Sequence, residues 1–477
     1  MLFRSHRNSS YHVTNRLSKQ QHSRTHLCYQ CVINELLGCS VTDNNILFED
    51  SAKDYFIVLD GKTILIEDHF FQKYPKSLSY LDKKNIPDTL VYFHGFGLEI
   101  PIIYGVDRFK EEADRITIGL DVFASTFFML TRWEESLLGR EEKGDCDENQ
   151  LFAVKNGIYQ RPIVHEYEEL LRLLLSGNGM VFRERKYSVV MSHDVDGFLT
   201  PTFGDIIKSV IRQLRFGPPK NKVLNLTWKE KMKYRKAFPN TFSQFDFYTE
   251  LCKKYDVPEW FYFKVCDTGE DEYTYKHNAS QTKAVVKRLK EMGNSKIVLG
   301  FHPSQSTFEN ERQWDKEQDR INALIGHVPA IGRNHHLLYN YNMLRMWENM
   351  AKGTSTGDLE ISNCVFHKLI GFRSGLAIPY RIFDIYQRKT MKLIEHPCQI
   401  MDMFIRYHRR DTDEAIWENI KSVIKATRQY NGELILTWHI FIRNSKWIRN
   451  NIRWCEEVAQ FANNNYFSCK ESQTRHV

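Results

Sequence analysis

No stretch of this chain approaches the ~20 consecutive apolar residues that cross a bilayer, and its N-terminus lacks the apolar core of a secretory signal. Both absences predict a cytoplasmic protein with no transmembrane segment. Residues 1–27 contain no acidic residue and show no periodicity. That predicts a disordered basic tail, although a transit peptide or a stretch ahead of the true start codon would share its composition. Paired cysteines are scarce too. Of the 10 cysteines only Cys28 and Cys31 form a C-x-x-C, and with no second pair to complete a zinc site, buried or free thiols are expected. Charge of one sign is also missing. The formal +7 and pI near 8.7 stand among acidic residues almost everywhere, so no nucleic-acid partner is expected.

What is present is an ordinary globular composition, 42% hydrophobic and 26% charged over 477 residues, enough chain for two or three domains. After the tail, residues 28–184 read as a smaller mixed α+β domain. Strand-like "YFIVLDG" and "LVYFHGF" are followed by helical "DVFASTFFMLTRWEESLL" and "RPIVHEYEELLRLLLSG", the latter with Pro162 in its first turn and Gly177 as its stop. No catalytic spacing occurs there, and packing or substrate guidance is the expected role.

From residue 185 to 477 short apolar strands alternate with amphipathic helices. The strands are "YSVVMSHDVD", "EWFYFKV", "KIVLGFH", "GDLEISN", "MKLIEHP" and "ELILTWHIF". The helix "ASQTKAVVKRLKEMG" carries Val285, Leu289 and Met292 on one face, and "DEAIWENIKSVIKATRQYNG" carries Ile416, Ile420, Val423 and Thr427. This rhythm predicts a largely parallel α/β sheet or barrel. Residues 200–240 interrupt it with a basic insertion containing Pro218 and Pro219, readable as a lid over the site or as a surface excursion.

Several of these strands finish in polar residues: His193, Asp194 and Asp196, then His302, then His439. In α/β barrels the C-terminal strand ends converge on one face, so residues distant in sequence meet there. Two carboxylates one residue apart are tolerable if a divalent cation sits beside them. One would bind it while the other takes a proton from a water whose pKa the metal has lowered to about 7. The plainer alternative is that the aspartates cap the next helix.

The ordered motifs "MSHDVD", "GFHPS", "GFRSGLAIPY" and "LTWH" resemble the polysaccharide deacetylases of carbohydrate esterase family four, the NodB-homology group. With "FFMLTRWEE", "RPIVHEY" and "GRNHH" the chain is similar to a bacterial branch in which an uncharacterised domain precedes the deacetylase domain. The resemblance implies a distorted (β/α) barrel that removes an N-acetyl group from a saccharide. It implies Asp194 as general base, Asp196 and His302 as metal ligands, Arg373 as the cation that orients and charge-pairs the base, and His439 as general acid. The usual second histidine one turn after the first is replaced by Ser306, so the third ligand must come from elsewhere; "GRNHH" offers His335 or His336, and the resemblance to the closer branch implies His335. Zinc suits a histidine and carboxylate set, as do cobalt, nickel or iron.

Other residues carry two readings each. His193 can contact substrate or make a structural hydrogen bond at the strand end. Asp402 can support the site or cap a helix, and Tyr380 can wall the pocket, offer a backbone donor or simply be buried. Trp438 is a candidate site wall, while Trp260 to Phe263 read as a strand buried on both sides. Two other functions are compatible with these residues: an amidohydrolase acting on another small amide, and a non-catalytic protein that binds saccharide or a partner. The missing signal favours a cytosolic nucleotide-linked or lipid-linked precursor over a finished polymer.

Overall fold

The computed structural model describes residues 47–464 apart from 51–53, 60–61, 74–79, 176–181, 183, 219–225, 267–274, 293–295, 409–410 and 441–444. The expected tail at 1–27, the pair Cys28 and Cys31, and Gly177 lie outside the described residues.

The N-terminal part is built on β1 (Leu47–Asp50), β2 (Asp54–Leu59), β3 (Lys62–Glu67), β4 (Val91–Gly95), β5 (Leu98–Ile102), β6 (Gly105–Glu111) and β7 (Arg115–Leu120). Five of them form a sheet in the order β1-β2-β3-β7-β6, and β4 pairs with β5 as a separate ribbon. That ribbon turns on Phe96 and Gly97, both at positive φ, the two-residue loop whose twist suits a tight hairpin. The sheet carries helix Val122–Thr131, started by Asp121, whose carboxylate accepts from Ala124 N. This helix stops at Arg132, which is left-handed at φ 50. Helix Ile163–Leu175 buries Ile163, Tyr167, Leu170, Leu171 and Leu174, the i, i+4, i+7, i+8, i+11 pattern of a core-facing stripe.

The C-terminal part is one curled nine-stranded mixed sheet, a half-barrel with helices packed outside, made of β8 (Ser188–Val195), β9 (Glu259–Phe263), β10 (Ile297–Phe301), β11 (Ile331–Gly332), β12 (Leu359–Ile361), β13 (Tyr380–Asp384), β14 (Lys389–Glu395), β15 (Ile400–Met401) and β16 (Glu433–Thr437). Its order is β13-β14-β12-β11-β10-β9-β8-β16-β15. Every neighbouring pair is parallel except the edge hairpin β13–β14.

Strand alternation divides the buried residues between two faces. On β8, Val189, Met191 and Val195 join the large outer core beneath the helices, whereas Val190 faces the inner cluster with Trp260, Tyr262, Ile331 and Ile435. Leu434 and Leu436 of β16 are also in the outer core and fully buried, each contributing about 1.5–3 kcal/mol. All five residues of β9 are buried, as a strand covered on both sides requires. Gly332 lies where β11 passes Trp347 so closely that a Cβ would stand 2.2 Å from the indole.

Two details depart from the periodicity reading. Met292 caps helix Ser280–Glu291 and is exposed instead of joining Val285 and Leu289 in the core. The insertion at 200–240 contains two helices, Phe203–Phe216 and Trp228–Ala237.

Candidate active site

Because the central strands run parallel, the residues at or just beyond their C-terminal ends gather in one place. They are Asp194 and Asp196 from β8, Lys264 after β9, His302 after β10, Arg333 after β11, Asp402 after β15 and His439 after β16. Asp194 and Asp196 share a face of their strand, as period 2 demands.

The ligand atoms of Asp196, His302 and His335 all lie within 4.8 Å of one another, and the three residues are buried. Asp196 Oδ1 is 3.6 Å from His302 Nε2 and 3.5 Å from His335 Nε2. His302 Nδ1 pairs with the Arg333 carbonyl at 2.7 Å, which leaves Nε2 as the basic nitrogen facing Asp196. That Nε2 is buried without a hydrogen-bond partner. An orphaned imidazole nitrogen, a second imidazole and a carboxylate aimed at one small volume are the donor set of a divalent metal site with open positions. Ser306 does not enter it, since its hydroxyl pairs with that of Ser304 at 2.8 Å.

One cation is already present. The Lys264 ammonium stands 3.4 Å from Asp196 Oδ1 and is buried. Burial would raise the pKa of Asp196, but Lys264, His335 and His302 outweigh it and hold the carboxyl well below its ordinary value.

Asp194 lies between Arg333 and His439. Arg333 Nη1 donates to Asp194 Oδ1 at 3.0 Å and to Thr437 Oγ1 at 2.9 Å. Its Nε and Nη2 donate to the Ser362 carbonyl and hydroxyl at 2.7 and 2.8 Å. Desolvation pushes the Asp194 pKa up, and Arg333, His302 and His439 together bring it below the usual carboxylate value. His439 Nε2 is 3.6 Å from Asp194 Oδ2, while its Nδ1 pairs with Asp402 Oδ1 at 2.6 Å. Burial lowers the His439 pKa, but the carboxylates of Asp402, above all, and of Asp194 and Asp196 more than reverse that and raise it to about 9. Asp402 makes no side-chain cap to helix Met403–Tyr407; it holds His439.

Four expected site residues sit elsewhere. Arg373 does not reach Asp194. Its guanidinium donates to Glu135 Oε1 at 2.8 Å, to the Val365 carbonyl at 2.7 Å and to Glu148 Oε1 at 3.4 Å, tying the N-terminal part to the large sheet. Arg333 occupies the position expected of it. Tyr380 is a buried aromatic whose hydroxyl donates to the Leu130 carbonyl at 3.2 Å. Trp438 points into the outer core, its indole N–H donating to the Asn451 carbonyl at 3.1 Å, because it alternates with His439. His193 alternates with Asp194 in the same way and faces the helices, its ring against Tyr248 and Phe261 and its Nδ1 on the Trp438 carbonyl at 2.8 Å.

That outer face holds a second group able to bind a metal ion: His193, Cys252 and Glu259, fully buried, with ligand atoms within 4.8 Å of one another. Neither Glu259 oxygen makes a hydrogen bond, and the nearest His193 nitrogen is 3.4 Å away. Its complete burial makes it a structural position and not one for substrate.

Arg333 and Lys264 escaped the motif reading. Arg333 stands inside the quoted "GRNHH", and Lys264 is the one charged residue ending the apolar run "EWFYFK", a signal of the same kind as the histidines. His367 was also missed. Burial and its neighbours His336, Arg373 and His439 lower its pKa to about 4, which places a neutral imidazole in the electrostatic neighbourhood of His439.

A sequence family described as being of unknown function (DUF7033) matches residues 13–179. Every residue of the group around Asp194 and Asp196 lies after that stretch. No curated protein matches the chain.

Proposed function

We propose that the chain is a metal-dependent hydrolase that cleaves the amide of an N-acylated sugar, with N-acetyl as the acyl group. The observation that carries this reading is the placement of one carboxylate, Asp194, between a fixed guanidinium and the His439–Asp402 pair, directly beside the Asp196, His302 and His335 donor set. The sheet is then the distorted (β/α) barrel of a polysaccharide deacetylase domain, and zinc is the metal that best suits its ligands.

Asp196, His302 and His335 would hold the metal, which when bound supplies Lewis-acid polarisation of the amide carbonyl and a more acidic water. Asp194, ionised at neutral pH, accepts the proton of the water whose oxygen bonds to the carbonyl carbon. Arg333 keeps Asp194 charged and fixes which of its oxygens is free. His439, protonated at neutral pH, then gives its Nε2 proton to the amine nitrogen as the C–N bond breaks, leaving a carboxylate and a free amine. Asp402 orients that imidazole and favours its charged form. The amide chemistry rests on these residues, whereas the sugar rests on the motif resemblance.

Lys264 favours a second reading. Its ammonium beside Asp196 already neutralises the carboxylate, as in a metal-free saccharide-binding or partner-binding protein. Acetate release from a panel of N-acetylated sugars, with Asp194→Asn as the control, separates the two. Release by the parent chain alone supports hydrolysis, and no release from any sugar after metal reconstitution favours the binding protein.

A further inference from the structure

Thirteen large apolar side chains are exposed among the described residues, and five of them stand on helix Phe203–Phe216: Phe203 61%, Ile207 59%, Ile211 52%, Leu214 83% and Phe216 79%. Phe203, Ile207, Ile211 and Leu214 fall at i, i+4, i+8 and i+11, one stripe of an α-helix. The opposite side seats the helix through buried Ile206 and Ser209. Between these faces lie the exposed Lys208, Arg212 and Arg215. A stripe of this size is not what a freely dissolved surface carries.

Charge is concentrated in the same place. Residues 200–240 hold ten Lys and Arg against two acidic residues, a local balance of +8, whereas the whole chain carries +7. The basicity is therefore concentrated in this excursion and in residues 1–27, which hold five Lys and Arg and no acidic residue, while the rest of the chain is net acidic. Helix Trp228–Ala237, packed beside the first, adds exposed Lys229, Lys233 and Lys236 and exposed Met232. The two helices are pinned at the site's end of the sheet. Thr202 caps the first helix six residues after Asp196, Thr200 donates to the Phe238 carbonyl at 3.3 Å, and Arg235 donates to the Pro201 carbonyl at 3.2 Å.

We propose that helix Phe203–Phe216 docks on an anionic lipid surface, with Phe203, Ile207, Ile211 and Leu214 in the headgroup boundary and Lys208, Arg212, Arg215 and the neighbouring lysines against the phosphates. An apolar stripe bordered by cations is the composition of an interfacial helix, and cations next to an anionic leaflet add to its hold. A second copy of this chain is the poorer occupant, because it would press one strongly basic face against another. The docked helix is capped by Thr202, six residues after Asp196, so docking would hold the Asp194 end of the sheet close to the membrane. Under the function proposed above, that points to a lipid-borne saccharide as substrate, but the docking is measured without reference to catalysis, so either idea can fail alone.

The test is co-sedimentation of the full chain with vesicles of phosphatidylcholine alone and of equal parts phosphatidylcholine and phosphatidylglycerol. The bound-to-free ratio is expected to be about tenfold or more higher on the anionic vesicles and to fall as salt is raised. Ile211→Glu with Leu214→Glu, both at exposed positions, should abolish binding with an unchanged thermal melt. Lys208→Glu with Arg212→Glu, a second variant, should remove the anionic preference. Failure of the parent chain to sediment with anionic vesicles would overturn the proposal. So would equal binding by the parent and the Ile211→Glu/Leu214→Glu variant, or a dimer that this variant dissociates while neither protein binds vesicles.

Discussion

Arg333 Nη1 and Asp194 Oδ1 are 3.0 Å apart, both side chains buried and the guanidinium held by three further hydrogen bonds. Two elements separated by 139 positions in the chain thereby fix the charge of the proposed general base.

Arg333→Met removes the cation that outweighs the burial of Asp194. The Asp194 pKa then rises, and because the base must be ionised, the acid limb of the pH–rate profile moves to higher pH. Breaking a buried pair on one side costs about 3–5 kcal/mol of stability, and kcat/KM should fall by about a hundredfold or more. Arg373→Met is the contrast. It frees Glu135 and Glu148 at the junction with the N-terminal part, so it should lower the melting temperature while leaving the acid limb in place. Profiles of both variants at matched temperature are the check.

Asp402→Asn acts at the other end of the profile. The Asp402 carboxylate is the foremost of the charges that raise the His439 pKa to about 9, so deleting its charge lowers that pKa. A general acid must be protonated, and the alkaline limb should therefore move to lower pH. Proton titration of His439 by NMR, alongside the rate profile, would expose a merely structural role, for which the limb would stay in place.

The distinction between the two arginines was not legible in the sequence. Each follows a glycine-containing segment, and which one faces Asp194 depends on the strand order placing β11 across the sheet's concave side from β8. Strand order is a long-range property with no local periodicity to announce it. The six longer parallel strands and their polar ends were legible because apolar runs and turn residues mark them. By contrast β11 and β15 have two residues each, too short to stand out, and β13 enters the sheet only as the antiparallel edge partner of β14. The outward direction of His193 and Trp438 was recoverable, since each alternates with a residue assigned to the site.

Tyr380→Phe loses one hydrogen bond to the Leu130 carbonyl, worth about 1 kcal/mol. Activity should stay within about twofold, whereas a side-chain donor to the transition state would cost a hundredfold or more. Denaturant midpoints and initial rates on the same preparation distinguish the two.

Lys264→Met tests whether the ammonium competes with a metal for Asp196. With the lysine gone, a metal site should bind zinc more tightly, by about tenfold for one displaced charge, as read by chelator competition. In a metal-free site the same change strands the Asp196 carboxylate, lowering stability by about 3 kcal/mol with no gain in binding.

The most direct measurement is elemental analysis of the purified full chain and of His335→Ala after equilibration with zinc, cobalt or iron. The account predicts close to one metal per chain at the open site in the parent protein and its loss in His335→Ala, with any ion held by His193, Cys252 and Glu259 retained in both. Equal metal content in the two proteins, or none in either, would contradict a metal held by Asp196, His302 and His335.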